Sequence, residues 1–376
     1  MHTMHPTLLV GSGDWDAQRL PRRDYDDRLA TLWRNYPNAG GAIVYGNSRN
    51  HAALAYLTHF MPKLEAAIAL MPRHGEPQML IGGGVNMLPA AKPLTFISQL
   101  APLRDAAKTI ADWARSLAPK SRFVLLGGDT MPYELRSALD RALAGMARLE
   151  NGDTTLHERM RCKSAGELNI LRSACAILDA AVATLREAAR KGRSVTNCIL
   201  AAEHAALQRG AQDVRSLFSL DSGKTLRPFD VPLVQCSDPL QVYLAVRHDG
   251  YWADAFVRAG VQNDKLGREA EDILRAMLAQ MKPGTSCREL HQIGQIARGK
   301  RALHPLADTA FGSSIGLSLD ETPLLTRDGD ATLEAGALYS LRSGLMEEHG
   351  GGAVLSAIVL VTEREPEVLW PIGALL

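Results

Sequence analysis

Cysteine is scarce in this chain of 376 residues: five are present, Cys162, Cys175, Cys198, Cys236 and Cys287, odd in number, all beyond residue 150 and never spaced as C-x-x-C. That pattern argues against a disulfide framework or a thiolate zinc site and reads as reduced, buried thiols. An excess of one charge is also lacking, since 42 Lys and Arg balance 41 Asp and Glu for a net +1. With no local basic patch either, nucleic acid is not an expected partner. No stretch reaches the ~18 consecutive apolar residues of a membrane span. The opening MHTMHPTLLVGSGDW has neither the basic start nor the apolar run of a secretory signal, so no membrane partner and a cytoplasmic address are expected. The glycine run Gly82-Gly83-Gly84 lacks the G-x-G-x-x-G spacing of a dinucleotide site and reads as a loop.

What is present is an ordinary folded composition, 46% hydrophobic and 22% charged, in a length that suggests two domains at roughly 150 residues each. In the first part, GAIVYG (41–46), AAIALMP (66–72), PQMLIGGG (77–84) and SRFVLLGGD (121–129) are short apolar runs bounded by Gly, Pro and Asp, as buried strands are. Between them AAKTIADWARSLAP and MPYELRSALDRALAGMA have the three-four apolar spacing of amphipathic helices. A small α/β domain over residues 1–152 follows. The polar stretch from Glu150 to Lys163 marks the boundary to a second domain over 153–376.

The second domain repeats itself. Ser164 to Glu167 reads as a capping box, in which the serine oxygen takes a free backbone N–H and the glutamate reaches back to the serine N–H. Leu171, Ala174, Leu178, Val182 and Leu185 then recur on one helical face up to Lys191-Gly192. About ninety residues later the pattern returns: an amphipathic helix from Leu266 to Met281, then Lys282-Pro283-Gly284, then a second capping box, Ser286 to Glu289. Each helix pair precedes strand-like sequence, QVYLAVRHDGYWADAFVRAGV in one case and GALYSLRSGL with GAVLSAIVLVTE in the other. A helix-helix-strands unit used twice implies a pseudo-twofold domain with a site where its halves meet.

On these residues the chain resembles the creatinase and aminopeptidase P family, the pita-bread fold that also includes prolidase and methionine aminopeptidase. NSRNHAALAYLTHF is similar to the family segment ending in YLTGF. Arg161 and Lys163 to Glu167 resemble an R-K-S-x-x-E motif, DGYWADAFVRA resembles DGYWADLTRT, FGSSIGLSLDETP resembles GHGIGLSLHEPP, and GALYSLRSGL resembles GMVFTIEPGL. The resemblance implies an α+β protein: a pita-bread C-terminal domain with a smaller α/β N-terminal domain, assembled as a homodimer.

Family metallopeptidases hold two metal ions with two Asp, one His and two Glu. By the same motifs those positions fall here at Tyr243, Asp254, Ser313, Arg342 and Ser356, so only Asp254 is retained. A second family histidine falls at Asp320, beside retained Glu321 and Pro323. A hard divalent ion needs several anionic oxygens to offset its dehydration, and one carboxylate with an arginine does not supply them. No metal and no other cofactor is expected. Asp254 is the natural salt-bridge partner of Arg342. Creatinase resembles this chain in lacking metal, but its histidine falls in DSGKTLRPFDVP, near Phe229 with Arg227 and Asp230 beside it, where no histidine stands.

Without metal, proton transfer must come from side chains of the former metal pocket. The candidate catalytic residues are Asp254, Arg342, Tyr243, Asp320 and His349, the last in a loop between the final two strands. Ser313, Glu321, Arg227 and Arg49 are candidates for binding a small-molecule substrate. Arg49 enters because in prolidase-like dimers the first domain of one subunit approaches the other's site. Asp320 and Glu321 are neighbours on a strand, so one of the two is expected to face the pocket. The resulting expectation is a metal-independent hydrolase or lyase acting on the C–N bond of a small, polar, amino-acid-like molecule. The alternative is a catalytically silent binding or partner protein. Two further readings carry less: an Xaa-Pro metallopeptidase, and a serine hydrolase built on Gly312-x-Ser314-x-Gly316, a motif that would need a strand before it and a helix after.

Overall fold

In the structure, a computed structural model that describes residues 10–117, 122–190, 194–228, 239–260, 264–348 and 350–371, the chain divides into two compact units, 1–160 and 161–376. The division falls eight residues beyond the expected 152/153 boundary, for a local reason. The Asp153 carboxylate accepts hydrogen bonds from the backbone N–H groups of Gly127, 2.5 Å, and Asp129, 3.2 Å, and Tyr36 Oη donates to Thr155 Oγ1 at 3.0 Å. The helix Asp153–Arg161 is thereby fastened to the first unit.

The first unit is built on a six-stranded sheet: β1 (Ala39–Asn47), β2 (Ala66–Pro72), β3 (Gln78–Ile81), β4 (Gln99–Pro102), β5 (Arg122–Leu126) and β6 (Arg148–Asn151), in the order β4-β3-β2-β1-β5-β6. The predicted apolar runs form its central strands, and Ile43, Ile68, Leu70, Phe123 and Leu125 are buried between sheet and helices. Helices α1 (Arg22–Asn35), α2 (Ala52–Thr58), α3 (Ala106–Ser116) and α4 (Tyr133–Leu143) complete the unit. On α3 the buried residues Ala106, Ile110, Ala111 and Ala114 lie one turn apart, as the three-four spacing requires.

The second unit repeats one arrangement. Helix α5 (Ala165–Arg190) and α6 (Val195–Gln208) accompany a three-stranded antiparallel sheet of β7 (Asp213–Phe218), β8 (Leu240–His248) and β9 (Tyr251–Ala259). Helices α7 (Lys265–Leu278) and α8 (Cys287–Arg298) accompany a second sheet, in which β10 (Ala302–Leu303), β11 (Gly312–Ser314) and β12 (Glu321–Leu324) lead to the long hairpin of β13 (Leu338–Met346) and β14 (Gly352–Leu360), edged by β15 (Glu367–Trp370). Both capping boxes form. Ser164 N and Ser286 N donate to the carboxylates of Glu167, 2.9 Å, and Glu289, 2.8 Å, and each serine hydroxyl accepts from the glutamate N–H. The β8–β9 turn is a two-residue hairpin through Asp249 and Gly250, at φ +45° and +85°, which places His248 opposite Tyr251.

By length and composition α5 could cross a membrane, although charged residues such as Arg172 and Asp179 interrupt its apolar sequence. Its buried residues, among them Ile170, Leu171, Ala174, Leu178, Val182 and Leu185, fall on one stripe, while charged residues such as Arg172 and Arg190 stand outside it. That is the division of a core helix. The two sheets of this unit are joined by side chains. Gln241 Nε2 donates to the carbonyls of Val257, 3.0 Å, and Val354, 2.8 Å, while its Oε1 accepts from Val354 N–H at 2.9 Å. Ser356 Oγ accepts from Phe256 N–H at 2.8 Å. Among the described residues no cysteines are bridged; Cys236 lies outside them.

Candidate functional site

Alternation along the strands decides what reaches the centre of the second unit. Asp254 and Phe256 are two apart on β9 and face the same way, and β8 sets Tyr243 directly opposite Phe256. The two rings meet with centroids 4.7 Å apart. From the other sheet, Arg342 on β13 turns inward. These four, with Asp320, His304 and Lys224, line a cavity of about 420 Å³ whose remaining wall is largely apolar, including Leu217, Leu226 and Leu319.

Asp254 is buried, and its Oδ1 has no hydrogen-bond partner. Withdrawal from water lifts its carboxyl to about 6; hydrogen bonding from the Ser340 and Tyr243 hydroxyls and the charge of Arg342 pull the other way, and the Asp320 carboxylate adds to the rise. Tyr243 is pushed far above the usual phenol value by burial first and by the carboxylates of Asp254 and Asp320 next, so it stays protonated and acts as a hydrogen-bond donor.

The expected ion pair between Asp254 and Arg342 does not form. Arg342 Nη2 instead approaches Asp320 Oδ1, at 3.8 Å, and its Nε donates to the Ala310 carbonyl at 3.4 Å. Both contacts lie on the segments that flank β11, which pairs with β13. At that distance, with the Asp320 side chain two thirds exposed, the pair contributes little and leaves the guanidinium able to take another anion. Ser313 holds Asp320 in place, donating from Oγ to Oδ1 at 3.0 Å.

Asp320 and Glu321 diverge. Glu321 turns from the cavity to Lys163, whose Nζ lies 2.7 Å from Oε2 in a pair almost wholly removed from solvent. Glu321 is therefore an internal counter-ion and does not line the cavity. Arg227 does not line it either: its backbone is paired with Phe218, and its predecessors Lys224, Thr225 and Leu226 form the rim instead. Arg49 is an exposed residue of the first unit, in a turn where Asn47 Oδ1 accepts from the N–H groups of Arg49 and Asn50. His349 lies outside the described residues, as do Phe229 and Asp230. His248 is occupied by the Gly210 carbonyl at 3.0 Å. Ser314 is buried on β11 with its hydroxyl unpartnered, and turns leading to a short strand follow it where a nucleophile elbow needs a helix.

Two lining residues have no counterpart in the sequence reading. His304 is buried at the cavity wall: its Nε2 contacts the Gly223 carbonyl at 3.0 Å and its Nδ1 accepts from Leu306 N–H at 3.2 Å. With one nitrogen donating and the other accepting, the ring is held neutral, and burial lowers its pKa further. Lys224 follows Gly223 on the same loop. Gly223 has φ +85°, and a Cβ there would stand 2.1 Å from the Gly352 carbonyl oxygen, so only glycine lets this loop lie against the β13–β14 turn. No motif could have found either residue, because their place depends on a loop arriving from another element.

A divalent ion does not fit this donor set. Among the described residues no group of three or more His, Cys, Asp or Glu is placed to hold one. The two carboxylates present face a guanidinium, and both nitrogens of the one lining histidine are committed to backbone. Ser356, where the resemblance implies a family ligand, ties β14 to β9.

Comparison with known proteins agrees with this architecture. The family model described as Metallopeptidase family M24 matches residues 169–363. Among curated relatives, an Xaa-Pro dipeptidase of Pyrococcus horikoshii is 21% identical over 244 residues, 62% of this chain and 69% of its own. A putative dipeptidase, YkvY, of Bacillus subtilis is 24% identical over 244 residues, 62% and 67% of the two chains. Among solved structures, a prolidase from Thermococcus sibiricus superposes with TM-score 0.75 at 16% identity, covering 97% of this chain and 99% of that one.

Proposed function

Since this chain belongs to metallopeptidase family M24, we propose that it is a hydrolase of that fold working without the family's metal ions, on the C–N bond of a small carboxylate-bearing molecule. One observation carries the reading: a permanent cation, Arg342, and a buried carboxyl whose pKa has moved toward neutrality, Asp254, face one cavity. The dipeptidase names of the relatives favour amide hydrolysis within that class.

The residues divide the work by charge. Arg342 offers a planar fork for a substrate carboxylate or a developing oxyanion, and it costs no reorganisation because its present partner is distant and solvated. Asp254, mostly ionised at neutral pH but with a pKa raised to about 6, can take a proton from water in one step and return it to a leaving nitrogen in the next. Tyr243 donates a hydrogen bond and does not ionise. His304 stays neutral and holds the rim loop, while the leucines and Phe256 exclude bulk water. A silent binding protein is the competing reading. It would be favoured by a centre filled with side chains, whereas about 420 Å³ is open here and bordered by titratable groups.

The test is a turnover screen of N-acyl amino acids, small lactams and amidines by mass spectrometry, with elemental analysis of protein purified without chelator. Turnover without stoichiometric metal, insensitive to chelator and lowered about 100-fold or more by Asp254→Asn, is the expected result. Tight, stoichiometric manganese, cobalt or zinc that restores peptidase activity would overturn it. Ligand binding with no turnover of any class would give the protein to the silent reading.

A further inference from the structure

Away from this cavity, the last turns of α5, the end of β9 and the first turns of α7 enclose a cleft of about 970 Å³. Three of the cations lining it already have a carboxylate within reach. Arg258 is held by the Asp264 carboxylate, with its Nη2 3.0 Å from Oδ1, Arg275 pairs with Glu271, and Lys265 approaches Glu269 at 3.9 Å. Glu269 is shared further with Arg301. The other three, Arg186 and Arg190 one turn apart on α5 and Arg268 on α7, form no ion pair among the described residues.

Arg186 is the unusual member. Exposed arginines without partners are common and cost nothing, since water solvates them. Arg186 is partly withdrawn from water, and burial lowers its pKa; the carboxylate that bears on it, Asp179, is seven residues back on the same helix and makes no ion pair with it. A desolvated guanidinium without a partner is unfavourable unless a ligand supplies the missing charge. Arg190 and Arg268 border the same space and can complete a three-sided clamp.

We propose that this cleft binds a small phosphate-bearing anion through Arg186, Arg190 and Arg268. Phosphate chemistry suits the fork geometry of several arginines better than a single carboxylate does. A compact anion suits the cleft better than a nucleic acid, because four carboxylates are interleaved with the cations and would repel an extended polyanion.

The experiment is calorimetric titration of the full chain with inorganic phosphate, pyrophosphate and a nucleoside monophosphate, with sodium chloride at matched ionic strength as the reference. A single-stranded oligonucleotide forms a further arm. Saturable binding of at least one phosphate compound is expected, weakened tenfold or more in Arg186→Gln and in Arg268→Gln. The Arg268→Gln variant alters an exposed side chain, so its failure to bind cannot be ascribed to misfolding. A second readout distinguishes a site from mere surface charge: Arg186→Gln should raise the ligand-free melting temperature while abolishing the rise that pyrophosphate causes in the parent. The proposal is overturned if phosphate compounds do no more than matched chloride, if both variants bind as the parent does, or if the oligonucleotide binds more tightly than every small anion.

Discussion

At the scale of single residues, the chemistry of the central cavity rests on the carboxyl of Asp254. Its pKa is higher folded, at about 6, than the 3.8 of an ordinary aspartate, so the folded state holds its proton more tightly than the unfolded chain does. Stability from this group is therefore full below about pH 4 and is lost as pH rises through 6, by up to about 3 kcal/mol at neutral pH. Asp254→Asn should be more stable than the parent at pH 7.5 and no different near pH 3.5, as urea denaturation at both values would measure. Equal stability at both would show that the carboxylate is better solvated than its burial implies. Arg342→Gln should act differently, raising KM for a carboxylate substrate ten- to a hundredfold while leaving the urea midpoint nearly unchanged, because its pairing with Asp320 is loose.

At the scale of elements, the site exists because two sheets are held in register by a few polar side chains. Gln241 makes three hydrogen bonds, two of them to the backbone of Val354 on the opposite sheet. Gln241→Leu would leave the Val354 N–H and carbonyl buried without these partners and should cost roughly 3 kcal/mol, read as a lower midpoint in chemical denaturation. The rim offers a second test. Gly223→Ala would drive a Cβ into the Gly352 carbonyl and lift the loop from His304. Substrate binding should weaken at least tenfold with only a modest loss of thermal stability, a split that a purely structural glycine would not produce.

At the scale of the whole molecule, the resemblance to prolidase-like proteins leads us to propose a homodimer, expected to elute at twice the 40.8 kDa of one chain. An elution mass of a single chain would remove the case for Arg49 near a partner's cavity.

How much of this was legible in the chain follows from the range of the forces involved. Strands β1, β2, β3 and β5 of the first unit, both capping boxes and the one-sided burial of α5 are set by neighbours within a few residues, and spacing alone predicted them. The family motifs likewise identified the fold; that ligand positions fall at Tyr243, Ser313, Arg342 and Ser356 is what the resemblance implies. Which of two adjacent carboxylates faces the cavity was open in the sequence, and the partner it suggested for Arg342, Asp254, was not the one the fold supplies. Tertiary structure decided both, because Lys163 draws Glu321 away across 158 positions of chain and because Arg342 on β13 comes within 3.8 Å of Asp320. It alone brought His304 and Lys224 to the wall, through a loop whose course is fixed by contact with Gly352. Local sequence sets which elements form and which side of each is apolar; the meeting of charges from distant segments depends on how those elements pack, and burial then sets whether a carboxyl such as Asp254 keeps its proton.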